Sequence, residues 1–151
     1  MNSQTRTFLL FWLPAVVWTA LIAVFSTNNF SAEETSRILR PFLEWLLGAL
    51  PQSRFDFIHF LVRKAAHLVV YASLSALWFR ARRGPRSGWQ LSWALLALLV
   101  TMLVALADEF HQALLPSRTG NPWDVLLDSF GALLAQAAIA RFARRKSHSP
   151  A

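Results

Sequence analysis

The chain has 151 residues, of which 55% are hydrophobic and 15% charged, with a formal net charge of +7 and no cysteine. This composition excludes an ordinary soluble globular protein, and the lack of cysteine excludes disulfides and a thiol nucleophile. The basic residues stand in short runs beside apolar segments, where they fix membrane orientation and attract anionic lipids. We therefore expect a membrane protein with membrane lipids as partners and no nucleic acid.

Four apolar segments approach the length of a membrane crossing. A helix of about 20 residues spans roughly the 30 Å of a hydrocarbon core. The first segment could instead be a secretory signal, but Pro14 within it and the bulky Phe25 near a cleavage position favour a retained helix. The sequence predicts an all-α integral membrane bundle of four transmembrane helices, in which residues 1–151 form a single domain. The predicted helices cover residues 8–25, 61–79, 89–107 and 123–142.

Charge is divided unequally between the two ends of this bundle. One end carries basic residues and no acid: Arg6, Arg80, Arg82, Arg83, Arg86, Arg141, Arg144, Arg145 and Lys146. The other end carries all the Asp and Glu residues. Because Lys and Arg concentrate in cytoplasmic loops, we expect a multi-pass protein of the cell membrane with both termini cytoplasmic. The polar segment from Asp108 to Asp128 would then lie on the extracytoplasmic side.

The segment 26–60 is too polar to span and too apolar to be disordered. Ser31 and Glu34 have the spacing of a capping box, which predicts a helix start there. We expect Pro41 to divide the segment into two pieces, and a second start near Ser53. Apolar residues recur at helical spacing, which indicates a short amphipathic segment on the outer membrane surface. These residues are Ile38, Phe42, Trp45, Leu46 and Ala49.

The second predicted span carries a polar stripe. Lys64, His67 and Tyr71 stand at i, i+3 and i+7 and share one helix face. Counting from the apolar boundary near Phe60, Lys64 lies roughly 6 Å and His67 roughly 10 Å inside the membrane. Lys64 could reach back to the interface, whereas the shorter His67 side chain needs a partner. The stripe predicts one wall of a polar pocket.

The third predicted span ends in a second polar group. Asp108, Glu109 and Gln112 point over a narrow arc, since Gln112 follows the two acids by four and three residues. His111 is offset from this arc, and we expect it to face headgroups. Ionisable groups at membrane depth are costly, so this group is a functional-site candidate.

The fourth predicted span brings two more carboxylates. Asn121 and Pro122 have the types of an N-cap and a first helical residue. The helix dipole alone would explain Asp124 in the first turn, but not Asp128 one turn deeper. Asp128 shares its face with small residues such as Gly131, which indicates that the face packs closely on another helix. The nearest cations for pairing are Lys64, His67 and Arg118, the last being the cation of the preceding loop.

Together these residues resemble the VanZ-like membrane proteins, named after a teicoplanin-resistance protein. The resemblance implies a small integral membrane protein and, through the namesake, a link to resistance against a glycopeptide antibiotic that acts at the cell wall. Val70 stands where many members carry an acidic residue. The matching motifs are Lys64-Ala65-Ala66-His67 with Tyr71, Asp108-Glu109-Phe110-His111-Gln112, Pro116-Ser117-Arg118, and Asp124, Asp128 and Gly131.

Three functions are compatible with these residues. In the first, Lys64 and Arg118 bind the anionic head of an envelope lipid, a lipid-linked cell-wall precursor or an amphiphilic antibiotic, while the acids orient the cations. In the second, Asp108 and Asp128 with His67 hold a divalent cation or perform acid/base catalysis on a lipid-linked phosphate. The sequence contains no established catalytic motif, and we do not expect a resident cation. In the third, the polar groups pair only with one another and lock the bundle.

Overall fold

The computed structural model describes residues 2–116, 118 and 120–147. Four of its helices are long and apolar enough to cross a membrane, and a shorter helix lies between the first two. The described residues contain no strand. The predicted all-α bundle of four transmembrane helices is therefore confirmed, and the chain is a multi-pass membrane protein. The helices are α1 (Ser3–Phe25), α2 (Ala32–Leu47), α3 (Gln52–Arg83), α4 (Leu91–Ala113) and α5 (Pro122–Ser147).

The α2 helix is amphipathic and its apolar face is exposed. Ser31 accepts a hydrogen bond from the Glu34 amide at 3.2 Å, as the capping pattern predicted. The expected division at Pro41 is wrong, because α2 continues through it. A proline removes only one helical hydrogen bond, and the pair Arg40–Glu44 at 3.0 Å bridges the turn that contains it. The exposed apolar face is the one an interfacial helix would place in lipid.

The α3 helix is longer than the bilayer requires. It begins at Gln52 with Pro51 as the preceding residue, which is one residue before the start predicted near Ser53. Proline is favourable at a helix start because its fixed φ is close to the helical value and the first amides need no helical partner. The first turns of α3 therefore extend beyond the apolar segment 61–79.

The bundle core lies between α3, α4 and α5, and α1 packs on α3. The closest approach is at Gly131 of α5, where a Cβ atom would lie 2.5 Å from the backbone oxygen of Leu68. Small residues permit this kind of contact between membrane helices. On the α1 side, Trp18 donates from its indole nitrogen to the Val70 carbonyl at 3.1 Å. These contacts fix the polar faces of the helices toward one another.

The two ends of the bundle differ in charge. The end of α1, the start of α3 and the connection from α4 to α5 lie at one end, which we call the cluster end, and Arg118 joins that connection to Thr27. The opposite end, which we call the basic end, contains the start of α1, the loop 84–90 and the end of α5. It carries Arg82 and Arg86, whereas the acids lie toward the cluster end.

Substitution of Gly131 by alanine tests the close contact of α3 and α5. Its methyl group has no room against Leu68, and overpacking of this kind costs about 1–3 kcal/mol of folding free energy. We expect a lower unfolding midpoint in detergent. Val62→Ile adds one carbon on an exposed face of α3 and should leave the midpoint unchanged. Equal midpoints for Gly131→Ala and the wild type would contradict the contact.

Candidate functional site

Two acid–base pairs connect α3 to α5 at the cluster end. Lys64 forms an ion pair with Asp124. One turn deeper, Nδ1 of His67 lies 3.2 Å from Oδ1 of Asp128, which is completely buried. The two pairs stack because both helices advance by one turn between them. The polar faces predicted on α3 and α5 therefore meet.

A third polar group lies between α3 and α4. The Tyr71 hydroxyl donates to Oδ2 of Asp108 at 2.8 Å, and the Gln112 amide donates to the same oxygen at 3.1 Å. All three side chains are buried. Oδ1 of Asp108 is also buried and has no hydrogen-bond partner among the described residues. Asp108 therefore forms hydrogen bonds with Tyr71 and Gln112.

Glu109 is held by the loop before α5. The Asn121 amide donates to its Oε2 at 2.7 Å, while Oε1 is buried and unpaired within the described part of the chain. Gly120 makes this contact possible, because a Cβ there would lie 2.5 Å from the Glu109 backbone oxygen. Asn121 also caps α5 by accepting from the Trp123 amide at 3.1 Å, which confirms the predicted cap.

Arg118 holds the end of α1 instead of pairing with the acids. Its Nη2 donates to the Thr27 carbonyl at 2.9 Å and also to the Phe25 carbonyl. Phe25 is the last residue of α1, so its carbonyl lacks a helical partner, and Thr27 lies two residues after the helix end. His111, expected to face headgroups, is exposed but lies 2.8 Å from the Ser26 hydroxyl. Both residues therefore attach α1 to the loop and to α4.

A cavity of about 290 Å³ opens beside these groups. Its polar lining includes His67, Asp108 and Arg118 from the predicted set, together with Arg63, which the sequence analysis did not select. The spacing of Arg63 and His67, at i and i+4 on α3, was the available signal. The apolar lining comes mainly from α1 and from the residues just after it. It includes Ile22, Phe25, Phe30 and Val70.

A different combination of the predicted residues has the geometry of a cation site. Among the described residues, His67, Glu109 and Asp124 each offer a ligand atom, and these atoms lie within 4.8 Å of one another. The expected combination was His67 with Asp108 and Asp128. Both sets contain one imidazole and two carboxylates. In the structure Glu109 stands in place of Asp108, and Asp124 in place of Asp128.

The interface of α3 and α5 also contains polar residues that the sequence analysis missed. The Gln136 amide donates to the Ser75 hydroxyl at 2.8 Å and to the Ser75 carbonyl at 3.1 Å, and both side chains are buried. Gln136 follows Asp128 by eight residues, so helical spacing already placed it on the same face. This contact lies deeper in the bundle than the cavity.

The fold and the site define a class of protein: a multi-pass helical bundle with buried, paired charges at one end and a cavity beside them. A family model described as VanZ/LLP1 matches residues 11–143, and the chain belongs to this family. The match covers most of the chain and includes every predicted site residue. Ser117, part of one matching motif, lies outside the described residues. No curated protein and no solved structure matches the chain.

Arg118→Gln tests the attachment of α1. The substitution removes hydrogen bonds from a charged donor to the Thr27 and Phe25 carbonyls, and each such bond contributes about 1.5–3 kcal/mol. We expect a lower unfolding midpoint in detergent and faster proteolysis near residue 27. Arg82→Gln, on an exposed part of α3, is the control and should behave as the wild type. An unchanged midpoint for Arg118→Gln would show that these hydrogen bonds do not hold α1.

Proposed function

We propose that the cavity binds the anionic headgroup of an amphiphile from the cell envelope. The observation that carries this proposal is the presence of two guanidinium groups, Arg63 and Arg118, in one cavity with apolar walls. Guanidinium groups bind phosphate and carboxylate through charge-assisted hydrogen bonds. The Arg63 donors are available for such bonds, whereas Arg118, whose Nε and Nη2 donate to backbone carbonyls, contributes mainly its positive charge. A lipid phosphate supplies such an anion together with an apolar chain.

Two guanidinium groups and one carboxylate, that of Asp108, line the cavity, so its formal charge favours an anion. Arg63 is half-buried and makes no hydrogen bond or ion pair with another described residue. Burial and the positive charge of Arg63 lower the pKa of Arg118 below its ordinary value. An anionic group between the two guanidinium groups would relieve both effects. Lys64, first expected to bind the headgroup, is instead paired with Asp124, so Arg63 takes that role.

The walls of the cavity suit the apolar part of such a ligand. Ile22 and Phe25 belong to α1, Phe30 follows it, and Val70 lies on α3. Ligand pockets combine apolar walls with a few charged groups that orient the ligand. At about 290 Å³ the cavity would hold a headgroup and the start of a chain, with the rest of the chain in the bilayer.

The ligand class comprises phospholipids, lipid-linked cell-wall precursors and amphiphilic antibiotics. All of these combine an anionic group with an apolar chain. A glycopeptide antibiotic would connect the cavity with the resistance of the family's namesake. This connection requires the cluster end to face the extracytoplasmic side, as the basic residues at the other end favour.

Arg63→Gln is the direct test of headgroup binding. We expect at least a tenfold loss of affinity for phosphatidylglycerol or undecaprenyl phosphate, because one charge-assisted contact contributes about 1.5–3 kcal/mol. Affinity is measured by titrating the delipidated protein in detergent with each lipid and with zwitterionic phosphatidylcholine. Arg54→Gln, an exposed arginine on the same helix, is the matched control.

The outcomes of this titration separate the ligand sources. Tighter binding of undecaprenyl phosphate than of phosphatidylglycerol supports a cell-wall precursor, and the reverse order supports a phospholipid. Competition by teicoplanin for the same site supports the antibiotic. Equal affinities for Arg63→Gln and wild type, or an equal loss for Arg54→Gln, would contradict the proposal.

Orientation is tested by cysteine labelling, for which the chain is suited because it contains no cysteine. Asn29→Cys lies at the cluster end and Ser87→Cys at the basic end, both at exposed positions. We expect a membrane-impermeant maleimide to label Asn29→Cys in intact cells, and Ser87→Cys only after permeabilisation. The opposite pattern would place the cavity on the cytoplasmic side and exclude a role at the outer leaflet.

A further inference from the structure

We infer that His67, Glu109 and Asp124 form a binding site for a divalent transition-metal cation, with zinc as the best match. The three residues come from α3, α4 and α5, and their ligand atoms lie within 4.8 Å of one another. One imidazole nitrogen and two carboxylate oxygens are common zinc ligands, and three protein ligands leave a fourth position open. Metal–ligand bonds of about 2.1 Å require the three side chains to close inward slightly.

The strongest independent evidence is the unpaired oxygen of Glu109. Its side chain is 6% exposed, and Oε1 has no hydrogen-bond partner within the described residues. An unpaired buried carboxylate oxygen lowers the stability of the fold. The other oxygen of this side chain, Oε2, accepts a hydrogen bond from the Asn121 amide. A cation bound by Oε1 would provide the missing partner.

The surroundings of His67 have the arrangement of a metal-binding histidine. Nδ1 lies 3.2 Å from Oδ1 of Asp128, which is completely buried. A histidine that donates from one nitrogen to a carboxylate presents the other nitrogen, here Nε2, to a metal ion. Asp128 is therefore a positioning residue in this site. This contact accounts for a buried carboxylate that no described arginine or lysine neutralises.

Lys64 pairs with only one of the two carboxylate oxygens of Asp124, the third ligand. Its ammonium group pairs with Oδ1 of Asp124, which leaves the second carboxylate oxygen for the cation. Asp124 and Lys64 are both partly exposed, so a metal ion can enter from the cluster end. Because zinc binds imidazole more readily than magnesium does, the mixed ligand set favours zinc over magnesium or calcium.

The test is a titration of the full-length protein in detergent with zinc, after treatment with a chelator. We expect one zinc ion per chain, weaker binding of magnesium, and at least a tenfold loss of zinc affinity in Glu109→Gln and in Asp124→Asn. Asp128→Asn should weaken binding about 10–100-fold, as for other residues that orient a ligand. Asp56→Asn is the control, because Asp56 is an exposed acid that contacts Gln52.

X-ray absorption of the zinc-loaded wild type gives a second measurement that depends on no variant. We expect a shell of nitrogen and oxygen atoms at about 2.0–2.1 Å with the scattering pattern of one imidazole. Absence of saturable binding at one zinc per chain, unchanged affinity in Glu109→Gln, or a shell without imidazole would overturn the inference. Both measurements omit lipid, so their failure is distinguishable from failure of headgroup binding.

Discussion

The contact between Gly131 and the backbone of Leu68 sets the geometry of the cluster end. It brings α3 and α5 so close that the short side chain of Asp128 reaches His67. A larger residue at 131 would separate the helices and leave Asp128 buried without its partner, which is strongly destabilising at membrane depth. The pair Lys64–Asp124, one turn nearer the loop, depends on the same approach. One glycine therefore determines whether the carboxylates of α5 are tolerated.

The polar groups of the cluster end fall into two sets. Asp124, Asp128 and Arg118 make contacts that hold helices together. Arg63, Oε1 of Glu109 and Oδ1 of Asp108 have no hydrogen-bond partner among the described residues. A bound ligand would supply the partners that these groups lack within the described residues. His67 lines the cavity and also belongs to the proposed metal site.

The sequence predicted the helices and their faces better than the individual contacts. Apolar length gave the four spans, and helical spacing placed Lys64 and Asp124 on faces that do meet. The role of Arg118 could not be predicted, because it depends on how the end of α1 lies against a residue that follows Thr27 by 91 positions. Helical spacing could have identified Arg63, which stands four residues before His67. The sequence analysis followed the face of Lys64 instead, which stands three residues before His67. The continuation of α2 through Pro41 shows that one lost hydrogen bond does not end a helix that other contacts support.

We propose that the polar groups of the cluster end bind a ligand in addition to stabilising the helix bundle. Native mass spectrometry of protein extracted gently from its own membranes tests this claim most directly. We expect one anionic amphiphile to be retained per chain, and to be lost when Ala66→Phe fills the cavity with an aromatic ring. Retention of no anionic amphiphile by the wild type, or equal retention by Ala66→Phe, would contradict it.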